Sequence, residues 1–136
     1  DTTKSLSLDC KIHTFDINPD MVKLPKDSKI KYHEIDNNKI NEFIDQSREL
    51  FEKMESPILI IEDSHVNVDE VVRSLDPFLK SGDYLVIEDT LDENKYQDTI
   101  LSENGISSMN YEVDTYYCDF WGINNSWNIN SIFRKV

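Results

Sequence analysis

The sequence predicts an α/β fold, a doubly wound and mostly parallel sheet with an antiparallel hairpin at its C-terminal end. Three observations predict it. Strand-length and helix-length apolar patterns alternate along the chain. The strand patterns end in acidic residues, and the aromatic residues collect in a tail that reads as two strands. Alternation of this kind is the signature of a layered α/β domain.

Residues 11–15 mix polar and apolar side chains and meet Asp16-Ile17-Asn18-Pro19, a short strand running into a turn, because proline cannot continue a ladder and Asn and Asp favour the bend. Residues 29–35, with Ile30, Tyr32 and His33-Glu34-Ile35, read as a weaker strand. From 38 to 54, Ile40, Phe43, Ile44, Leu50, Phe51 and Met54 follow the 3.6-residue stripe of a helix, which Ser56-Pro57 stops. Ile58-Leu59-Ile60-Ile61 is apolar on both faces, as a buried parallel strand is. Asn67 and Glu70 have the spacing of a capping box, and the helix behind them carries Val68, Val71, Val72, Leu75 and Leu79. Pro77 disturbs its last turn, and Gly82 closes it as a C-terminal cap. Residues 84–87 form another apolar strand, and 94–103 a shorter helix stopped at Asn104-Gly105. The segments 111–120 and 131–136 read as the closing hairpin, joined by a loop rich in Gly and Asn.

The chain has 136 residues, enough for one core, and no internal boundary interrupts it. It opens on Asp1-Thr2-Thr3-Lys4, with no initiator Met and no signal segment, which suggests a fragment or a processed chain. Acidic residues outnumber basic ones by 27 to 14, a formal charge of −13, which makes nucleic acid and anionic membrane surfaces poor partners and welcomes cations. Cys10 and Cys118 lie far apart without ligand spacing, which fits a cytoplasmic protein with free thiols.

The chemistry lies in the acids that end the strands: Asp16, then Asp63, then Glu88-Asp89. Ligands of open α/β sheets sit at the carboxyl ends of the strands. Asp63 and Glu88 are 25 residues apart, the length of one strand–helix–strand crossover, so their strands are neighbours about 4.8 Å apart. Carboxylates that close repel unless a cation lies between them, and oxygen ligands alone favour Mg²⁺ or Ca²⁺. Helix capping or simple exposure to water is the other reading of each acid. Asp16 is placed to accept hydrogen bonds from ribose hydroxyls, and equally to serve as a turn residue before Asn18-Pro19. His65, two residues beyond Asp63, can take a proton from a substrate hydroxyl, or stand exposed at a helix start. His13 and His33 fall within strand patterns as packing residues, and the tail aromatics Tyr111, Tyr116, Tyr117, Phe120, Trp121 and Trp127 serve as core or as pocket lining.

Three stretches carry a resemblance. Ile58-Leu59-Ile60-Ile61-Glu62-Asp63-Ser64-His65, the run Ser81-Gly82-Asp83-Tyr84-Leu85-Val86-Ile87-Glu88-Asp89-Thr90, and the ending from Phe120-Trp121-Gly122 to Arg134 resemble the cephalosporin hydroxylase and rhamnosyl O-methyltransferase family. The resemblance covers roughly residues 11–136. It implies a class I methyltransferase with a Rossmann-like sheet, binding S-adenosylmethionine and Mg²⁺. Carried over residue by residue, Asp63, Glu88 and Asp89 match the metal acids, with Glu62 an alternative. Asp16 matches the ribose-binding acid, and Asp36 falls near the adenine contact.

One departure stands out. The family's first strand and glycine-rich turn have no counterpart before Lys11, since residues 1–9 contain no glycine. That strand is central in the family topology, between the Asp16 strand and the Asp63 strand. Residues 1–136 are therefore expected to form one partial domain, its missing strand supplied by another chain or segment. The expected reaction is metal-assisted methyl transfer to a hydroxyl of a sugar or other small metabolite, with His65 as base. Two rivals are a methyltransferase-like domain without catalysis that serves binding or assembly, and a receiver-type phosphoacceptor module. The second lacks an acidic pair after its first strand and a Lys after Ile87.

Overall fold

The computed structural model describes residues 10–18, 29–64, 66–88, 109–120 and 131–136. Six strands and three helices are set in it: β1 (Ile12–Asp16), β2 (Ile30–Glu34), α1 (Ile40–Phe51), β3 (Leu59–Glu62), α2 (Val68–Leu75), β4 (Tyr84–Ile87), β5 (Tyr111–Val113), α3 (Thr115–Phe120) and β6 (Ile132–Lys135). A 3-10 turn over Asp76–Phe78 follows α2. β1 and β2 pair in parallel as a sheet of two, and the remaining strands form a second sheet in the order β3-β4-β6-β5. Within it β3 and β4 are parallel, whereas β6 runs antiparallel to both β4 and β5. The α/β class, the parallel strands and the antiparallel closing pair agree with the sequence.

Helix α2 joins the two sheets. Its Val68 and Val72, four residues apart on one side, pack with Ile58, Leu79, Leu85, Ile87, Met109, Tyr111 and Phe133. Its Val71 and Leu75, again four apart, pack with Ile35 and with Phe43 and Phe51 of α1. Phe15 of β1 and Ile60 of β3 both lean on that second cluster. Both sheets therefore share one helix layer, although β1 and β3 share no ladder.

Four sequence expectations need correction. The first concerns β3, which is not buried on both faces: Leu59 is 61% exposed and Ile61 59%. Its pleat sends Ile60 and Glu62 toward the helix layer and Leu59 and Ile61 the other way, and among the described residues only one edge of the strand is paired. The proposed capping box does not form; Asn67 adopts a left-handed conformation with no side-chain cap bond. Its amide instead donates from Nδ2 to the Asn37 carbonyl at 2.8 Å. Gly82 (φ +92°) is not a helix cap, because α2 ends at Leu75 and the 3-10 turn containing Pro77 ends at Phe78. It makes the turn into β4 and donates its N–H to the Lys135 carbonyl at 2.9 Å.

The closing hairpin is the fourth. Its strands β5 and β6 pair as expected, but 115–120 is helical rather than extended. The cause is local. Asp114 Oδ1 accepts the Tyr117 backbone N–H at 3.2 Å, an N-cap bond to the third helical residue, and Asp114 Oδ2 accepts the Tyr84 hydroxyl at 2.8 Å. The expected helix over 94–103 and the loop over 121–130, with Trp121 and Trp127, lie outside the described residues, as do the side chains of Cys118 and Phe120.

Candidate functional site

Two groups of polar residues gather at carboxyl ends of strands. The first lies at the ends of β1 and β2. Asp16 faces Glu34 in the register, and the Asp16 carbonyl accepts the Ile35 N–H at 3.1 Å, so the chain leaves both strands at one level. Asp16 is exposed, and its Oδ1 accepts the Asn18 N–H at 3.0 Å, the turn role that the sequence offered. Asp36 Oδ1 accepts both the backbone N–H and the side-chain amide of Asn38, at 2.9 and 3.0 Å. Those bonds, with Lys39 nearby, hold its carboxyl below the usual carboxylate range. Ile17, Glu34, Ile35 and Asp36 line a cleft of about 260 Å³, closed on the other side by Lys39, Glu42 and Gln46.

The sequence reading did not pick out Glu34, Lys39, Glu42 or Gln46. Glu42 and Gln46 stand one helical turn apart in the first half of α1, off its apolar stripe. A polar face meeting a strand end was the signal available.

The second group lies at the ends of β3 and β4. Glu62 is level with Ile87, and the Glu88 N–H donates to the Glu62 carbonyl at 3.0 Å. Asp63 and Glu88 follow directly on these two strands, which are neighbours as the crossover spacing implied. Glu62 itself is only 5% exposed; it accepts the Ser64 N–H at 3.0 Å and also the Ser64 hydroxyl. Its carboxylate braces the turn that presents Asp63. Among the described residues no group of three or more His, Cys, Asp or Glu side chains could hold a metal ion. His65 and Asp89 lie outside the described residues.

The two groups adjoin. Asn67 Nδ2 bonding to the Asn37 carbonyl ties the loop that leaves β3 to the loop that leaves β2. Asp36 precedes Asn37 in the one loop, and Asp63 opens the other.

No protein-family model matches the sequence, and no curated protein matches it. Solved structures do. An apo structure of CmcI is similar at 23% identity and a TM-score of 0.74, over 98% of this chain and 56% of that one. A Mg-SAM structure of CmcI gives 21% and 0.70, again over 98% of this chain and 56% of that one. An SAH structure of CmcI gives 21% and 0.69, over 98% of this chain and 60% of that one. This chain spans a little more than half the length of those proteins. The likeness establishes that the mixed α/β arrangement of this chain follows the fold of CmcI.

Proposed function

We propose that this chain is part of an S-adenosylmethionine-dependent O-methyltransferase of the cephalosporin hydroxylase kind, assisted by Mg²⁺ and acting on a hydroxyl of a sugar or another small metabolite. The observation that carries the reading is the junction of the two polar groups. A polar cleft past the end of β2 and the acids that follow β3 and β4 lie on loops joined through Asn37 and Asn67. The fold likeness to structures of CmcI with Mg-SAM and SAH supports it.

The residue types would suit both groups. Asp63 and Glu88 offer oxygen donors, the type a hard divalent ion takes, and Asp89 would complete them. In the cleft, Ile17 and Ile35 give apolar surface for a planar base. Asp36 lines its rim, and Asp16 would accept hydrogen bonds from ribose hydroxyls. When bound, S-adenosylmethionine supplies an electrophilic methyl group, and Mg²⁺ neutralises charge on the acceptor oxygen. The chain's part is to orient the acceptor, hold the metal's charge with Asp63, Glu88 and Asp89, and take the acceptor's proton at the His65 imidazole. Its rate gain would come mostly from positioning.

In this reading the two sheets are halves of one doubly wound, Rossmann-like sheet within a single domain, and a parallel strand from another chain or segment lies between β1 and β3. The protein would work in the cytoplasm. No helix among the described residues is long and apolar enough to cross a membrane.

Calorimetry on the complete protein tests the proposal. S-adenosylmethionine should bind, and Asp16→Ala should weaken it by about 1.5–3 kcal/mol, the range for hydrogen bonds to a charged group. S-adenosylhomocysteine should lose as much, because it carries the same ribose. Asp63→Asn should weaken Mg²⁺ while leaving the nucleoside affinity in place. Absence of any cofactor binding to the complete protein would leave the non-catalytic binding or assembly unit as the better account.

A further inference from the structure

A column of stacked rings fastens the small sheet to the rest of the protein. In β1, His13 and Phe15 share a face of the strand, and His33 of β2 is level with Phe15. The imidazoles of His13 and His33 stack at 5.2 Å, with His13 Nδ1 and His33 Nε2 2.9 Å apart. His33 stacks on Phe15 at 4.9 Å, Phe15 on Phe51 of α1 at 6.1 Å, and Phe51 on Phe78 of the 3-10 turn at 5.8 Å. Among the described residues the β1–β2 sheet has no ladder to the other sheet, and this column, the packing of Ile35 and the Asn37–Asn67 bond help to secure it.

We infer that the His13–His33 pair is an acid-sensitive latch, which holds β1 to β2, and with them the cleft at their ends, and lets go when both rings are protonated. The proton count gives the reason. An N–H of one ring donates to the bare nitrogen of the other, so the pair needs one unprotonated nitrogen at the contact. A first added proton leaves that bond intact. A second places N–H against N–H, and the bond is lost. The charged groups acting on the pair, Lys31 on β2 and Lys11 ahead of β1, are both cationic and oppose protonation; α1 and the 3-10 turn reach the column through Phe51 and Phe78. Burial lowers both histidines below their ordinary 6.5, with the mutual repulsion and Lys31 and Lys11 adding to it for His13, and Lys31 for His33. With both folded-state values lowered, the latch's contribution is complete above pH 6.5. It declines as pH falls from there through the lowered values, because opening then takes up protons. The inference is independent of what the cleft binds.

The test is performed on the complete protein, with the imidazole nitrogens and the backbone amides followed by NMR. The two histidines should titrate in linked steps, both below 6.5. Protection of the Ile12 and Ile35 amides, corrected for intrinsic exchange, should fall by about tenfold per pH unit for each proton taken up on opening. The Tyr84 and Ile87 amides of the larger sheet should keep theirs. His13→Phe retains a ring in the column and should reduce the pH dependence of the Ile12 and Ile35 amides to that of the single proton His33 takes up. Independent titration of both histidines near 6.5 would overturn the latch, as would equal loss of protection in both sheets. If His13→Phe does not fold, the titration and exchange of the unmodified protein still decide.

Discussion

The two sheets are built from the same strand grammar and end up very differently buried. In the four-stranded sheet, β4 is paired on both edges, and its Leu85 and Ile87 are 1% and 0% exposed. In the two-stranded sheet every residue of Ile12–Asp16 and Ile30–Glu34 is half-buried or exposed, and only Ile35, just past β2, is buried. Both sheets lean on the same helix layer, so the layer alone does not make a core. Ladders on both edges and a third and fourth strand do. A lone pair of strands is marginal in water, and here aromatic stacking and one cluster of side chains hold it.

The comparison breaks first at Leu85. Leu85→Ala removes a side chain from the centre of the larger core and should cost about 2–5 kcal/mol in urea denaturation. Ile12→Ala, at a half-buried place in the small sheet, should cost less, in proportion to the smaller area it takes out of water. Equal losses would mean that the two sheets are one cooperative core.

A smaller effect is expected at Asp83, a residue that sequence reasoning passed over. It is 0% exposed at the mouth of β4. Its Oδ1 accepts the Ile58 N–H at 2.9 Å, and its Oδ2 accepts the Lys80 N–H at 2.8 Å and the Ser56 hydroxyl at 3.0 Å. One carboxylate thus pins the entry of β3 to the entry of β4. Asp83→Ala leaves the buried Ile58 N–H without an acceptor, at about 1–3 kcal/mol. Asp83→Asn keeps one acceptor oxygen and should recover part of it. No recovery would mean that the charge, rather than the acceptor, matters.

What was legible in the sequence follows the same division. The apolar run of β4 and the stripe of α1 could be read because each is a repeated pattern over several residues. Asp16 was picked out by its place after a strand and Asp36 by the family resemblance; Asp36 lines the cleft, whereas the Asp16 carboxylate is engaged in the turn to Asn18. The role of Asp83 was hidden, because its three partners come from Ser56, Ile58 and Lys80, up to 27 residues away. The helix at Thr115–Phe120 was hidden for a related reason: a run of aromatics has strand character, and the Asp114 cap that turned it helical is a single residue. The exposed face of β3 was misread because Ile58-Leu59-Ile60-Ile61 looks alike on both sides. Among the described residues β3 has a neighbouring strand on one edge, and nothing in the run itself signals which face that leaves exposed.

That face supplies the smallest effect and the sharpest use of the comparison. The bonds Tyr84 N–H to Ile58 carbonyl and Glu88 N–H to Glu62 carbonyl show that even-numbered residues of β3 point their peptide groups at β4. Leu59 and Ile61 then turn theirs toward the unpaired edge, as a parallel ladder requires. Their side chains are also the most exposed large apolar groups of this sheet's strands. In the 136-residue chain, Ile61→Ser should change stability by no more than about 0.5 kcal/mol, the usual bound for an exposed site. The Leu59 and Ile61 amides should exchange much faster than that of Ile60. A strand seated between β1 and β3 would reverse both results, protecting the two amides and raising the cost of Ile61→Ser above about 1 kcal/mol, as apolar burial demands. Measuring the pair of readouts in the 136-residue chain and in the complete protein tells whether that edge is open, and β3 becomes a second β4 only where both of them change.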